Sequence, residues 1–279
     1  MHRSEEFARA CFETVASPRC LRPVPDQSHG EHDFDVLSPS GTCVGALEVT
    51  SAVDEDHVST TTAIFHEKHG GQNVKRVLCK SDWHVTVLPG TSIRRLRVSL
   101  DTHLAAIEAD GMSEFHARSG APHLPSVDAI CRGLGVASGQ VIRTSRPGVH
   151  WIGAPVSAAL SNPSAVNDVI CHAAERPDNL RKLSKVEHGE RHLFVFIDSS
   201  IPSAYIPLVD GDLAVPVTVD RAITHVWAGA HTGTAGRGVV WCAKNGEPWL
   251  CSSVDLGAAG YSERPVTQPA LHLTRGLRR

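Results

Sequence analysis

No stretch of this sequence approaches the ~20 consecutive apolar residues that a membrane-crossing helix needs. The opening residues, MHRSEEFARA, hold no apolar run of signal-peptide length. A chain that works in the cytoplasm without a membrane partner is therefore expected. Excess positive charge is lacking too, since 27 Lys and Arg stand against 30 Asp and Glu. That balance excludes a surface coated in basic residues for nonspecific nucleic-acid binding, so any such contact has to come from a local groove. No CxxC pair occurs among the eight cysteines at 11, 20, 43, 79, 131, 171, 242 and 251, which reads as reduced, mostly buried thiols rather than a disulfide framework. Seventeen histidines are present, but HExxH is not. Neither the run from His66 to His69 nor that from His188 to His192 combines a Glu beside its first His with a second His four residues on. Hydrogen-bonded or solvated histidines are the plainer reading. Gly133 and Gly135, and Gly233, Gly236 and Gly238, lack a Walker lysine and the strand, GxGxxG, helix order, so both runs read as turns. No internal repeat is visible.

What is present is a chain of 279 residues, 41% hydrophobic, long enough to bury a full core. Ser4 caps a helix with Glu5 and Glu6 in its first turn and Phe7, Cys11 and Val15 along one face. A strand, a Ser-Pro-Ser-Gly turn and a second strand run from His32 to Thr50. A helix follows from Asp54 to His69, closed by Gly70 and Gly71, then a strand from Trp83 to Leu88. The clearest helix starts at Thr91 or Ser92, carries Ile93, Leu96, Leu100, Leu104 and Ile107 on one face, and stops at Gly111. Residues 113 to 160 are rich in Gly, Pro and Ser, with strand candidates near Gln140 to Arg143 and Val149 to Ile152. Asn162 and Pro163 open a helix that Pro177 interrupts, with Asp178 to Leu183 as a short continuation. The run from His192 to Asp198 is almost wholly apolar and belongs inside a sheet, with Leu193 to Ile197 expected as an interior strand of the sheet that holds Leu47 to Thr50. Two more strands, THVWAGA and GVVWCAK, follow, and from about Val254 periodicity is lost.

The hairpin from His32 to Thr50 carries the chemistry. A two-residue loop at Ser40 and Gly41 pairs Asp33 with Glu48, Phe34 with Leu47, Asp35 with Ala46 and Leu37 with Val44. One face then holds Phe34, Val36, Leu47 and Val49; the other holds Asp33, Asp35, Ala46, Glu48 and Thr50. A slip of one residue would mix each apolar set with carboxylates, which is what fixes register. Opposed Cβ atoms lie roughly 4.5 to 5.5 Å apart, so Asp33 and Glu48 repel unless something offsets their charge. A divalent cation between them does so and supplies chemistry. Two solvated carboxylates on an exposed face is the other reading of the same residues.

A Glu-bearing helix, an Asp on one strand, an ExK-like tripeptide on the next, then a helix and strand, resembles the core of the PD-(D/E)XK (restriction-endonuclease-like) nuclease superfamily. The matching residues are Glu6 (or Glu5) in SEEFARA, Asp33 in EHDFD, and Glu48, Val49 and Thr50 in ALEVT. The segments DWHVTVLP, DNLRKL, ERHLFVFID, THVWAG and GRGVVW look like those of a divergent, uncharacterised bacterial group with an "HD...EVT" hairpin. The resemblance implies an α/β fold: a restriction-endonuclease-like mixed sheet flanked by helices, with a C-terminal α/β extension. Residues 1–112 would be the core, 113–252 the extension packed on the same sheet, and 253–279 a tail.

The resemblance also implies a divalent-metal-dependent nuclease, a hydrolase of phosphodiester bonds in nucleic acid, with DNA as the first partner to test. Asp33 and Glu48 would ligate Mg²⁺ or Mn²⁺, Glu6 would assist, and Thr50 would orient a water. Thr50 stands where the superfamily has lysine, whose charge positions the attacking water and offsets the scissile phosphate. Lys80 and Lys182 are the candidates to replace that cation from a neighbouring element. Arg94, Arg95 and Arg97 offer phosphate contacts or are simply solvated. The alternative is a catalytically inactive nuclease-like module that binds nucleic acid or a protein partner, which the missing lysine and the acidic balance favour. An unrelated small-molecule enzyme using the histidines is a third reading, for which no motif is assembled.

Overall fold

The computed structural model describes residues 3–25, 30–66, 71–117, 124–143, 147–153, 163–186, 189–211, 213, 215–232 and 236–258. Residues 67–69 and 188 of the two histidine runs, 233–235 of the second glycine-rich turn and 259–279 of the expected tail lie outside them. In chain order the elements are α1 (Arg3–Val15), β1 (Cys20–Pro23), β2 (Phe34–Leu37), β3 (Cys43–Ala52), α2 (Glu55–Phe65), β4 (Asn73–Lys75), β5 (Asp82–Val87), α3 (Ile93–Ala109), β6 (Glu114–His116) and α4 (Pro125–Leu134). There follow β7 (Val136–Ile142), β8 (Val149–Ile152), α5 (Pro163–Ala174), α6 (Pro177–Ser184), β9 (Glu190–Ile197), α7 (Pro202–Asp210), β10 (His225–His231), β11 (Arg237–Lys244) and β12 (Leu250–Asp255). The fold is α/β with mixed sheets. No helix among the described residues is long and apolar enough to cross a membrane.

The strands form two sheets. Seven stand in the order β1-β2-β3-β9-β10-β11-β12 and five in the order β4-β8-β5-β7-β6. In the larger sheet β3, β9 and β10 run parallel and the flanking strands are antiparallel. The apolar run Leu193 to Ile197 lies beside Glu48 to Ala52, in an interior strand covered on both faces, as such a run requires. On one face α1 packs Phe7, Cys11 and Phe12 against Phe34, Leu47, Phe194 and Trp227. On the other, α5, α6 and α7 pack Val166, Ile170, Leu183 and Leu208 against Ala46, Leu193, Val195 and Val226. Alternation along each strand thus feeds two cores.

Two glycines set how closely α1 approaches. A Cβ on Gly229 would stand 2.8 Å from Phe7 Cε1, and one on Gly238 would stand 2.8 Å from Phe7 Cε2. The Phe7 ring therefore lies on bare backbone of β10 and β11. Its edge-on contact with Phe196, ring centres 5.1 Å apart, holds it there.

The second sheet departs from expectation. The Trp83 strand, β5, belongs to it rather than to the sheet carrying Asp33 and Glu48, whereas β9 lies in the sheet of β3, as its apolar run leads one to expect, and is its parallel neighbour. Residue 112 falls between α3 and β6, inside the chain segment that builds the five-stranded sheet, so a division there does not follow the sheets. Trp83, Val85, Val87, Leu96, Leu100 and Leu104 fill a core of their own on the face covered by α3 and α4. Asp101 and Glu108 of α3 hold the chain leading into β5. Asp101 accepts from the N–H groups of Val77, Leu78 and Cys79, and Glu108 from those of Lys80 and Ser81 and from Trp83 Nε1.

The candidate metal and phosphate site

Phe34 pairs with Leu47 and Asp35 with Ala46, the register that segregation of apolar and acidic residues demands. A bulge between Val36 and Leu37 then moves Leu37 opposite Cys43 instead of Val44, which corrects the expected pairing at the turn end. Asp33 lies one residue ahead of β2 and is tied to β3 directly: its Oδ2 accepts the Val49 N–H at 2.7 Å. Asp33 and Glu48 are only 6% and 3% exposed. Solvated carboxylates on an open face are therefore not what these residues are.

The helix pair α5–α6 brings two cations to this face. Asn179, itself buried, donates to the Ala173 carbonyl at 2.8 Å, closing the end of α5, and Pro177 starts α6 at once. From that corner Lys182 Nζ reaches Glu48 Oε1 at 2.8 Å and Asp178 Oδ2 at 3.3 Å. Arg176 Nη1 donates to Thr50 Oγ1 at 3.0 Å. Glu48 and Thr50 are two apart on β3, so the two cations stand over adjacent positions of one strand face. Lys182 is thus next to the acids, whereas Lys80 precedes β5 in the other sheet. Thr50 meets an arginine, which residue spacing alone did not indicate.

The electrostatics follow from burial. Desolvation, then the charge of Asp33, raises Glu48 to about 8 despite the Lys182 hydrogen bond. Asp33 is also raised, again by burial, with the Val49 N–H and Lys182 opposing. Burial works against the Lys182 ammonium, but its hydrogen bond to Glu48 and the charges of Glu48 and Asp33 outweigh that and raise its pKa. Near neutrality the pair of acids therefore tends to keep one proton on Glu48 while Lys182 stays charged. Glu48 Oε2 is buried and takes no hydrogen bond from the described residues, a costly arrangement unless a ligand completes it. Of the two helix acids, Glu5 is the one whose charge acts on Asp33. Glu6, the first choice from the sequence, is exposed.

The other candidates have different roles. Arg97 turns inward, donating to the carbonyls of Ala63, Ile64 and Gly71 around the end of α2, so it is not a phosphate contact. Arg94 and Arg95 are exposed beside a shallow hollow they share with Val98, Ser99, His103 and Leu134. Two further groups bring possible ligand atoms within 4.8 Å of one another: Cys79, Asp101 and His150, and Glu190, His192 and His225. Hydrogen bonds settle the tautomers of His150 and His192. The Trp83 amide N–H points at His150 Nδ1 and the Trp227 indole N–H at His192 Nδ1. Both Nδ1 atoms must accept, so both Nε2 atoms carry the proton and donate, His150 to Asp101 at 2.9 Å and His192 to Glu190 at 3.1 Å. A protonated Nε2 has no lone pair for a metal, and Glu190 is further engaged by Arg19. These are closed polar networks. The run around Glu190 and His192 thus joins His225, whose ring stacks on His192 with centres 4.4 Å apart.

No family model, curated protein or solved structure matches this chain.

Proposed function

We propose that this protein is a divalent-metal-dependent phosphodiesterase acting on nucleic acid, built on a restriction-endonuclease-like sheet. The observation that carries the reading is the buried pair Asp33 and Glu48, with Glu48 Oε2 lacking a partner among the described residues and Lys182 Nζ at Glu48 Oε1. The residues suit a hard cation: Asp33 keeps Oδ1 clear of its bond to Val49, and Glu48 keeps Oε2. Mg²⁺ or Mn²⁺ prefers one or two carboxylates with the rest of its shell left to water and phosphate oxygen. When bound there, such an ion polarises a phosphoryl oxygen and acidifies a water. The chain's own part is to hold both acids on one face, to supply a positive charge where Thr50 has none, and to neutralise the excess acid through Lys182. The reading explains why a threonine is tolerated at position 50: the cation comes from α6 rather than β3.

A screen of single- and double-stranded DNA and RNA with Mg²⁺ and with Mn²⁺ tests this, with an Asp33→Ala/Glu48→Ala variant as control. Cleavage by the wild type that vanishes in the variant is the expected result. No cleavage in any form, with no Mn²⁺ bound at the pair, would defeat the reading.

One observation favours a second reading. Lys182 occupies one oxygen of Glu48, and a stable ion pair there would describe a nuclease-like module that binds nucleic acid or a protein partner without turnover. Thr50→Lys separates the two: a gain of cleavage in the variant alone shows a site complete except for its cation.

A further inference from the structure

We infer that Arg176 is the residue that grips a backbone phosphate of the substrate, at the position on β3 where the strand itself offers only the Thr50 hydroxyl. The inference rests on the phosphodiesterase reading above and assigns it a phosphate contact. Lys182 is already committed, since its ammonium lies between Glu48 and Asp178. Its charge stays at the acid pair. Arg176 spends one N–H on Thr50 Oγ1, and its remaining guanidinium N–H groups meet no described residue, in a side chain that is exposed. A guanidinium presents five donors in a rigid fork and matches phosphate two bonds at a time. One edge anchored on a buried hydroxyl leaves the rest aimed and ready, so little rotamer freedom is lost when an anion arrives.

The anchoring is built by the fold. Arg176 is the residue just before α6, Pro177 fixes the backbone just after it, and Asn179 locks the same corner to the end of α5. Asp178 adjoins it in sequence, but its carboxylate is taken by Arg181 and Lys182. A guanidinium thus stands two residues along β3 from Glu48, close to any phosphate held at the acid pair, in a protein whose net charge is negative. The bland alternative is that Arg176 merely ties the helix corner to the sheet, and a salt-dependence measurement separates the two.

Binding of a fluorescent mixed-sequence oligonucleotide, as single-stranded and duplex DNA and RNA, is followed by anisotropy across a salt series with Ca²⁺ in place of Mg²⁺. Wild type, Arg176→Ala, Arg176→Lys and Asp33→Ala/Glu48→Ala are compared, and urea melts report folding of each. One lost phosphate contact should weaken binding about tenfold and reduce the slope of log affinity against log salt by about 0.9 on duplex DNA. Arg176→Lys should restore most of the slope while losing part of the affinity. If Arg176→Ala binds with unchanged affinity and slope while the double variant abolishes cleavage, the inference is wrong and the phosphodiesterase reading stands. If Arg176→Ala loses the contact but the wild type cuts nothing with Mg²⁺ or Mn²⁺, the inference stands and the turnover reading falls. A wild type that binds none of the oligonucleotides overturns both.

Discussion

Replacing Glu48 with Gln should make the metal-free protein more stable, and increasingly so as pH rises. Glu48 is 3% exposed and its pKa is lifted from the ordinary 4.5 to about 8, by burial first and by Asp33 second. The folded state therefore holds a proton that the unfolded chain releases above pH 4.5. Wherever the native state binds more protons, stability falls as pH rises, by about 1.4 kcal/mol per pH unit for one group. The fall starts near 4.5 and levels off near 8. Gln is the neutral isostere of the protonated acid and its carbonyl still accepts from Lys182, so it escapes this loss. Relative to wild type, Glu48→Gln should be nearly neutral at pH 4.5, ahead by about 3 kcal/mol at pH 7 and by 4 to 5 kcal/mol near pH 8. Urea unfolding in EDTA at half-unit steps from pH 5 to 8 measures it. A difference that stays flat, or a wild type that is the more stable at pH 8, would mean Glu48 is ionised throughout and paired with Lys182 as a simple buried ion pair.

Two other outcomes are expected. Lys182→Met should leave Mn²⁺ binding in place while cleavage falls about 100-fold, the range seen when one preorganised electrostatic contact is removed; a rate within twofold of wild type would show that Lys182 only balances charge. Asp101→Ala strips the acceptor from three backbone N–H groups and from His150, so thermal or urea unfolding should show a loss of about 3 kcal/mol, and a loss below 0.5 would mean the segment re-forms its bonds with water.

The hairpin was legible because its residues constrain one another. Only one register separates Phe34, Val36, Leu47 and Val49 from Asp33, Glu48 and Thr50, and β9 announces its interior position by five apolar residues in a row. The bulge at Val36 was not legible, since alternation survives a single slip at the end of a strand. Nor was the sheet that β5 joins. Its alternating pattern suits any half-buried strand. That β9 shares the sheet of β3 was legible from its apolar run, but that the two are direct neighbours depends on pairing between residues as far apart as Gly45 and Glu190, which no local pattern records. The stripe of α4, Val127, Ile130, Cys131 and Leu134 between Pro125 and the left-handed Gly135, is short and ends in glycines that by themselves suit a turn. Pro207 hid α7 in the same way, by standing inside the helix as a breaker. Lys182 was visible as a lysine in a helical segment. Arg176 was not, because its approach to Thr50 comes from the turn between α5 and α6 rather than from any motif.

The central claim is that Asp33 and Glu48 form a metal-binding pair, and calorimetric titration with Mn²⁺ tests it most directly. Mn²⁺ suits the test because it takes carboxylate oxygens, whereas Zn²⁺, Ni²⁺ and Cu²⁺ would also find this chain's many histidines. At pH 7 the wild type should bind Mn²⁺ with release of close to one proton, seen as a buffer-dependent heat, and binding should tighten as pH rises toward 8 because Glu48 must lose its proton first. Asp33→Ala/Glu48→Ala should lose that binding while still folding cooperatively in a urea melt, at some cost in stability because the Val49 N–H and the Lys182 ammonium lose their acceptors. Equal Mn²⁺ affinity and heat in the wild type and the double variant would contradict the account.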